Sequence, residues 1–482
     1  MNRLLILLAA AGIAGPAPEP LLLPRPLSVE MTDGTVPAAK LSDARFFSAT
    51  ADAPLGPEAY TLDISPAGVA IRHGDARGLR LAFETLRQLG RGPDGAGLAE
   101  IPCCRIQDRP RFAWRGFMLD ESRHFTGKDG VKRLLEAMAR LKLNVLHWHL
   151  TDEPAWRMEI TRYPRLTDVG GTGSYTDPNA PRAYYSQEDI REIVAFAARR
   201  GIEVVPEVDM PGHATAANRA YPEHSGGGSK RNPEFTFNPA KPETEAFLAD
   251  ILAETRRLFP KAPFVHLGGD EVHYGWEQWP RLPEVRALMA REGLKDLAAV
   301  EGRFVRRMAD RALNQAGWPA VGFWDEAARF DLPRDRTVLF WWRHEKPEAL
   351  REAAAKGYRI VLCPRLPCYF DFVQDDAHKA GRRWNGFNTL DRVYAFPESL
   401  GAAYPRDARI LGLQACLWTE TAVTQERRDF LTFPRLLALA EAAWTAPERK
   451  DFARFRQAAQ AELPGIQSLD IKPWTGGPEV SK

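Results

Sequence analysis

The feature that most constrains this chain is a change of rhythm after Asp108-Arg109-Pro110. From that joint onward, short apolar runs alternate with longer amphipathic stretches. The runs Phe117–Leu119, Asn144–Leu150, Ile202–Val208, Phe264–Leu267, Ala320–Trp324, Val338–Trp342, Arg359–Leu362 and Leu411–Leu417 read as strands. Between several of them lie helical patterns. Val131, Leu134, Leu135 and Met138 follow i, i+3, i+4, i+7 spacing, and Ile190, Ile193, Val194 and Ala197 repeat it. Eight such units over about 340 residues predict an α/β fold, a (β/α)₈ TIM barrel across 109–482. A doubly wound sheet is the competing layout. No Gly-x-Gly-x-x-Gly follows the first strand, which weakens its dinucleotide-binding version.

Ahead of the joint, residues 18–108 predict a small α+β domain. Tyr60–Ile64 and Val69–Arg72 are strand-like, a helical stretch runs near Arg80–Leu89, and a Gly/Pro/Asp loop from Gly90 to Gly97 ends it. The first residues have another character. Arg3 precedes an apolar run from Leu4 to Ala14, followed by small residues, and the run is too short to span a bilayer. Residues 1–17 therefore predict a signal peptide and a secreted or periplasmic protein with no membrane span.

Composition removes several function classes. With Lys+Arg 65 against Asp+Glu 63, the formal net charge is +2, so no strong field recruits nucleic acid or an anionic membrane. The five cysteines form no disulfide framework and no Cys-x-x-Cys zinc pair, although Cys363 and Cys368 stand close enough in sequence to be a candidate pair. Thirteen Trp is a high count, and tryptophan stacks well on flat apolar ligand faces as well as packing cores.

A barrel makes a sharp demand: its active-site residues should cluster after the C-terminal ends of the strands. They do. Strand one runs into Leu119-Asp120-Glu121-Ser122-Arg123-His124-Phe125, and strand two into His147-Trp148-His149-Leu150-Thr151-Asp152. Strand three ends in Pro206-Glu207-Val208-Asp209-Met210-Pro211-Gly212-His213. Strand four gives His266-Leu267-Gly268-Gly269-Asp270-Glu271, and strand five Trp324-Asp325-Glu326. Beyond the last three sit Trp342, Tyr369-Phe370-Asp371 and Trp418-Thr419-Glu420. Carboxylates, aromatics and one arginine converge on one mouth.

From Arg115 to Trp444 these motifs, in order, resemble the family 20 glycoside hydrolases, the β-N-acetylhexosaminidases; residues 20–108 resemble that family's small N-terminal domain more loosely. Glycosidic cleavage needs an acid for the leaving oxygen and something to stabilise an oxocarbenium-like charge; in this family the sugar's own 2-acetamido oxygen is the nucleophile. An adjacent Asp-Glu pair suits that division of labour.

The resemblance implies that Glu271 is the general acid/base, that Asp270 orients the acetamido N–H and balances the oxazolinium-like intermediate, and that Tyr369 donates to the acetamido oxygen. It implies sugar contacts from Arg123, Asp152, Asp371 and Glu420, an acetamido pocket walled by Trp324, Trp342 and Trp384, and Trp418 beneath the ring. His213 would brace the acid through Asp152 or Glu271, or else be a core histidine satisfied by backbone. Two close carboxylates should hold each other's charge down and keep Glu271 protonated. No metal or organic cofactor is implied, and the partner is a β-linked N-acetylhexosamine glycan cut from its non-reducing end.

Glu121 and Pro154-Ala155 depart from the family pattern, and Ser225-Gly226-Gly227-Gly228-Ser229-Lys230 is flexible by composition, a tolerated insertion in preference to a segment lining the entrance to the site. Three alternatives stay open: a lacto-N-biosidase of the same family, a metal-dependent amidohydrolase built on His147, His149, His213, His266 and Asp270, and a non-catalytic sugar-binding protein.

Overall fold

A computed structural model describes residues 18–92, 96–384, 386–405 and 407–476. The segment read as a signal peptide lies outside the described residues. The chain divides into two compact units between Arg109 and Pro110.

The first unit is a five-stranded sheet of β1 (Ser28–Pro37), β2 (Phe47–Ala51), β3 (Tyr60–Ser65), β4 (Gly68–His73) and β5 (Glu100–Asp108), ordered β1-β5-β3-β4-β2. Alternation decides its faces: Tyr60, Leu62 and Ile64 of β3 are buried while Asp63 points to solvent. The helix Ala76–Leu89 lays Leu81, Ala82, Leu86 and Leu89 inward. Asp75 caps it, accepting from the Gly78 N–H at 2.8 Å and so satisfying a donor the helix itself leaves open.

The second unit is a closed barrel of eight parallel strands: β6 (Trp114–Asp120), β7 (Val145–His149), β8 (Glu203–Glu207), β11 (Val265–His266), β12 (Val321–Trp324), β13 (Thr337–Trp341), β14 (Arg359–Leu362) and β15 (Arg409–Leu417). β15 closes on β6, with Cys416 opposite Met118. Alternate strand residues fill the interior: Trp114, Met118, Val145, Val205, Val338, Phe340 and Val361 form one cluster that continues up to Tyr369 and Trp418. The floor of the mouth is thus the top of the core.

The third βα loop carries a short antiparallel ribbon of β9 (Ser225–Gly227) and β10 (Thr236–Phe237). The glycine-rich segment read as flexible therefore takes part in regular pairing. Its glycines are needed for close approach, since a Cβ on Gly228 would lie 2.0 Å from the Asn232 carbonyl oxygen.

The seventh βα loop is tied down from below. Arg435, wholly buried in the helix Arg435–Trp444, donates to the carbonyls of Phe372 (2.8 Å), Asn388 (2.9 Å) and Phe370 (2.6 Å). Burial lowers that guanidinium to about 9.

All five cysteines are free and buried. Cys363 and Cys368 do not pair. The Cys363 thiol lies against Cys416 instead, because β14 and β15 are neighbouring strands, and burial followed by that contact pushes it well up. Among the described residues, no helix is long and apolar enough to cross a membrane.

Candidate active site

The strand ends converge on one open cleft, of about 590 Å³. Arg123, His213, Asp270, Glu271, Trp342, Tyr369, Asp371, Trp384, Trp418 and Glu420 line it, together with Arg365, Phe372 and Arg382. Asp152 and Trp324 do not face the open space. Asp152 is 1% exposed and its carboxylate is engaged on every side. It meets Arg123 Nη1 at 2.6 Å, His149 Nε2 at 2.9 Å and His213 Nδ1 at 2.9 Å, so it orients those groups instead of meeting a hydroxyl itself. Burial opposes its charge, but Arg123, His213 and His149 outweigh that and hold it well below the usual carboxylate range.

The turn after β11 is built for close approach. Gly268 (φ +64°) and Gly269 (φ +86°) adopt conformations that favour glycine, and a Cβ on Gly268 would sit 1.8 Å from Asp209 Oδ1. Asp209 Oδ1 accepts from the Gly269 N–H at 3.2 Å, which pins the turn. Glu271 then takes the left-handed region itself (φ +54°), as does His213 (φ +52°). Such strain in non-glycine residues persists only where the surroundings hold it, and it concentrates at functional sites.

His213 stands between the carboxylates. Its Nε2 lies 3.8 Å from Asp270 Oδ2 and 3.7 Å from Glu271 Oε2, while Nδ1 is held by Asp152. Burial disfavours its cation, yet Asp152, Asp270 and Asp209 together raise it well above the ordinary histidine value. Asp270 is pushed well up by burial, then by Asp209, Glu326 and Glu271. Asp209 rises to about 7, burial first.

Glu271 is also raised, and here the cause differs from the one the sequence suggests. Burial comes first, followed among the raising influences by Glu326 and Glu153, not its neighbour Asp270. Asp209, Glu153 and Glu326 thus act electrostatically on the pair, without an assignment from the sequence. Asp209 and Glu326 were visible in the strand-end motifs; what was missing was the fold-back that brings them to the pair.

The aromatic residues separate into two groups. Trp342 and Tyr369 are stacked, 6.3 Å and 13° apart, and Trp342 Nε1 donates to Glu326 Oε2 at 3.0 Å. Burial raises the Tyr369 hydroxyl well above its usual value, so it stays a donor. Trp418 lies 6.0 Å from Tyr369, with the Arg123 guanidinium 5.2 Å above its ring.

Trp324 does not wall the open cleft beside Trp342. Fully buried, it donates from Nε1 to Glu207 Oε1 at 2.9 Å and supports Trp418 from 5.9 Å. Trp384, 56% exposed, packs over Arg382 (4.2 Å) and edge-on to Phe372, on the side of Asp371 and Glu420.

The histidines that resemble a barrel metal site divide between two places. His147, His149 and His266 close on Glu207 beneath the floor, at 3.0, 2.6 and 2.9 Å. Burial lowers His147 to about 4, so it is neutral, whereas His149 is raised well up because Glu207 and Asp152 outweigh its burial. His213 and Asp270 belong to the cleft.

Glu121 is wholly buried and satisfied by the Thr126 N–H (2.7 Å), the Tyr185 hydroxyl (2.9 Å) and Trp148 Nε1 (3.2 Å). This departure from the family pattern therefore organises the first loop.

What the cleft leaves unsatisfied describes its ligand. Asp270 Oδ1, Asp371 Oδ1, Glu420 Oε2, Arg123 Nε, Trp418 Nε1 and His213 Nε2 are buried with no hydrogen-bond partner. Unpaired buried polar atoms are costly, so those that face the cleft suit a small, densely polar, partly flat molecule.

Residues 112–447 match the profile described as "Glycosyl hydrolase family 20, catalytic domain", and residues 25–109 match "Glycosyl hydrolase family 20, domain 2". The chain belongs to glycosyl hydrolase family 20. Its relatives include a beta-hexosaminidase of Vibrio furnissii, 38% identical over 79% of this chain and 64% of that protein. A beta-N-acetylhexosaminidase of Cellulomonas fimi is 32% identical over 95% of this chain and 87% of that protein. The chain spans under two thirds of the Vibrio furnissii protein and 56% of a Porphyromonas gingivalis beta-hexosaminidase. Among solved structures, the family 20 exo beta-N-acetylglucosaminidase of Vibrio harveyi, in complex with N-acetylglucosamine, superposes with a TM-score of 0.84 at 31% identity. That match covers 96% of this chain and 80% of the other.

Proposed function

We propose that this protein is an exo-acting β-N-acetylhexosaminidase that removes terminal, non-reducing β-linked GlcNAc or GalNAc with retention of configuration. The observation that carries the reading is the Asp270–Glu271 pair, set around His213 in the same cleft as Tyr369 and a group of unpartnered polar atoms. The relatives' names support the same activity.

The chemistry follows from the charge states. Glu271, held protonated by burial, gives its proton to the glycosidic oxygen as the C1–O bond breaks and its electron pair leaves with that oxygen. The carbonyl oxygen of the 2-acetamido group bonds to C1 and forms an oxazolinium-like intermediate. Tyr369 donates to that carbonyl oxygen and holds it in line, a positioning effect.

Burial raises Asp270, so its carboxylate is poorly stabilised until a cation forms beside it. Its stabilisation is then strongest in the transition state, where it lowers the barrier. Glu271, now anionic, takes a proton from water as the water oxygen attacks C1 and opens the ring. Arg123, Asp371 and Glu420 hold the sugar's hydroxyls, and Trp418 lies beneath its apolar face.

Cleavage of an aryl β-N-acetylglucosaminide beside the plain β-glucoside, each with and without EDTA, tests the reading. Release from the acetamido sugar alone, unchanged by chelator, is expected. Equal cleavage of both sugars would remove the acetamido nucleophile and with it the role of Asp270. Arg3 and the apolar stretch Leu4–Ala14 support export to the periplasm or beyond. Cell fractionation and N-terminal sequencing of the mature protein check it, and a cytosolic protein that retains Met1 would refute it.

A further inference from the structure

We propose that Arg382 is a positioning residue that sets the cleft's choice between hydroxyl configurations on the outer rim of the sugar. It acts by clamping Asp371 and Glu420 as a rigid pair of acceptors, and so rests on the reading that these two carboxylates take sugar hydroxyls. Arg382 was not among the residues the strand-end motifs suggested.

Its placement is built into the backbone. The Arg382 N–H donates to the Asp371 carbonyl at 2.9 Å, and the Val373 N–H donates back to the Arg382 carbonyl at 3.1 Å, so Arg382 runs in register beside Asp371. Gly381 makes the approach possible: at φ +129°, its Cβ would lie 2.7 Å from Val373 Cγ1 and 3.1 Å from the Asp371 carbonyl oxygen.

The side chain then spans both carboxylates. Arg382 Nε lies 2.9 Å from Asp371 Oδ2, and Nη2 pairs with Glu420 Oε1. Trp384 covers the guanidinium from 4.2 Å. Asp371 is fully buried and Glu420 is 10% exposed at its side chain, so neither can readily swing away.

A planar fork fixes the Glu420 carboxylate in direction as well as charge, which a lysine does not, and sets Nε against Asp371. Glu420 gives one oxygen to the fork, while Asp371 Oδ2 sits beside Nε as an ion pair without a hydrogen bond, so Glu420 Oε2 and both Asp371 oxygens lack a hydrogen-bond partner. A sugar whose rim hydroxyls reach these open oxygens satisfies them. An epimer with one hydroxyl turned leaves a buried acceptor unpaired and is discriminated against.

The groups facing Asp371 are Arg382, Glu420 and Arg435. Burial raises Asp371 to about 7, and Arg382 opposes that rise. Losing the guanidinium therefore moves Asp371 further up.

The test compares wild type, Arg382→Met, Arg382→Lys and Asp371→Asn on aryl N-acetyl-β-glucosaminide and its 4-epimer, the galactosaminide, across pH. For Arg382→Met the ratio of kcat/KM between the two sugars should move toward unity by about tenfold, mostly through KM. The acidic limb of the kcat/KM profile should also shift to higher pH. Arg382→Lys should restore most of the pH profile but not the selectivity, because it returns the charge without the fork. Arg382→Met lowering both sugars by one factor, with the pH profile unmoved, would overturn the proposal. Asp371→Asn separates the two layers. Selectivity altered by Asp371→Asn but untouched by Arg382→Met defeats the clamp alone, whereas selectivity untouched by Asp371→Asn defeats the reading of the rim beneath it.

Discussion

Glu207 ends β8 and Asp270 follows β11, neighbouring strands of one barrel, and both are buried, yet their oxygens meet opposite conditions. Glu207 accepts from His149 and Trp324 and has His147 and His266 at ion-pair distance, and the three histidines overcome its burial and hold it well below the usual carboxylate range. Asp270 has Oδ1 unpartnered and is pushed well up by burial and by Asp209. A buried carboxylate whose lone pairs are filled by the protein stabilises the fold; one left unfilled is held ready for something the protein does not supply. The same functional group is thus filled by the protein below the floor and left partly open at the cleft.

The contrast can be broken from either side. The largest effect is expected for Asp270→Ala. Charge stabilisation and acetamide orientation vanish together, and kcat/KM should fall by about 10⁴ on aryl and natural substrates alike. Retention of most activity on either substrate would refute the role of Asp270.

Glu271→Gln should lose about 10²–10⁴ on an oligosaccharide and much less on an aryl glycoside whose leaving group needs no proton. Equal losses would sink the assignment of the acid. The pH dependence follows the same logic. Glu271 must hold its proton to act, so kcat/KM on an oligosaccharide falls as pH climbs through its raised value, and that alkaline limb flattens on the activated aryl substrate.

Below the floor, Glu207→Ala should cost about 3–5 kcal/mol of stability, measured by denaturant unfolding, since it leaves a buried histidine cation without its main partner. The smallest effect sharpens the comparison most. Asp270→Asn should leave stability unchanged or raise it by about 1 kcal/mol at neutral pH, because it relieves a crowded acid while abolishing activity. A marked loss of stability would place Asp270 with Glu207 as a structural acid.

The sequence carried much of this design. Eight apolar runs at regular spacing announced the barrel, and barrel geometry alone directed attention to the strand ends where Arg123, Asp270, Glu271, Tyr369 and Glu420 now line one cleft. Motif adjacency did not reveal direction. Asp152 and Trp324 sit at strand ends like the others, but the first faces Arg123 and two histidines and the second faces Glu207. Arg382 gave no signal, since it lies in an irregular loop with no periodicity to read.

By itself, then, the sequence determined the order of elements, the strand-end chemistry and the membership of the family, because periodicity and local motifs are properties of neighbouring residues. Only the tertiary structure decided which carboxylates are filled and which are left open, why the Glu271 carboxyl is raised, and that Cys363 meets Cys416 instead of Cys368. Each of those depends on burial and on partners from other strands. Desolvation and hydrogen bonding act through space, and a barrel brings together residues that lie far apart along the chain.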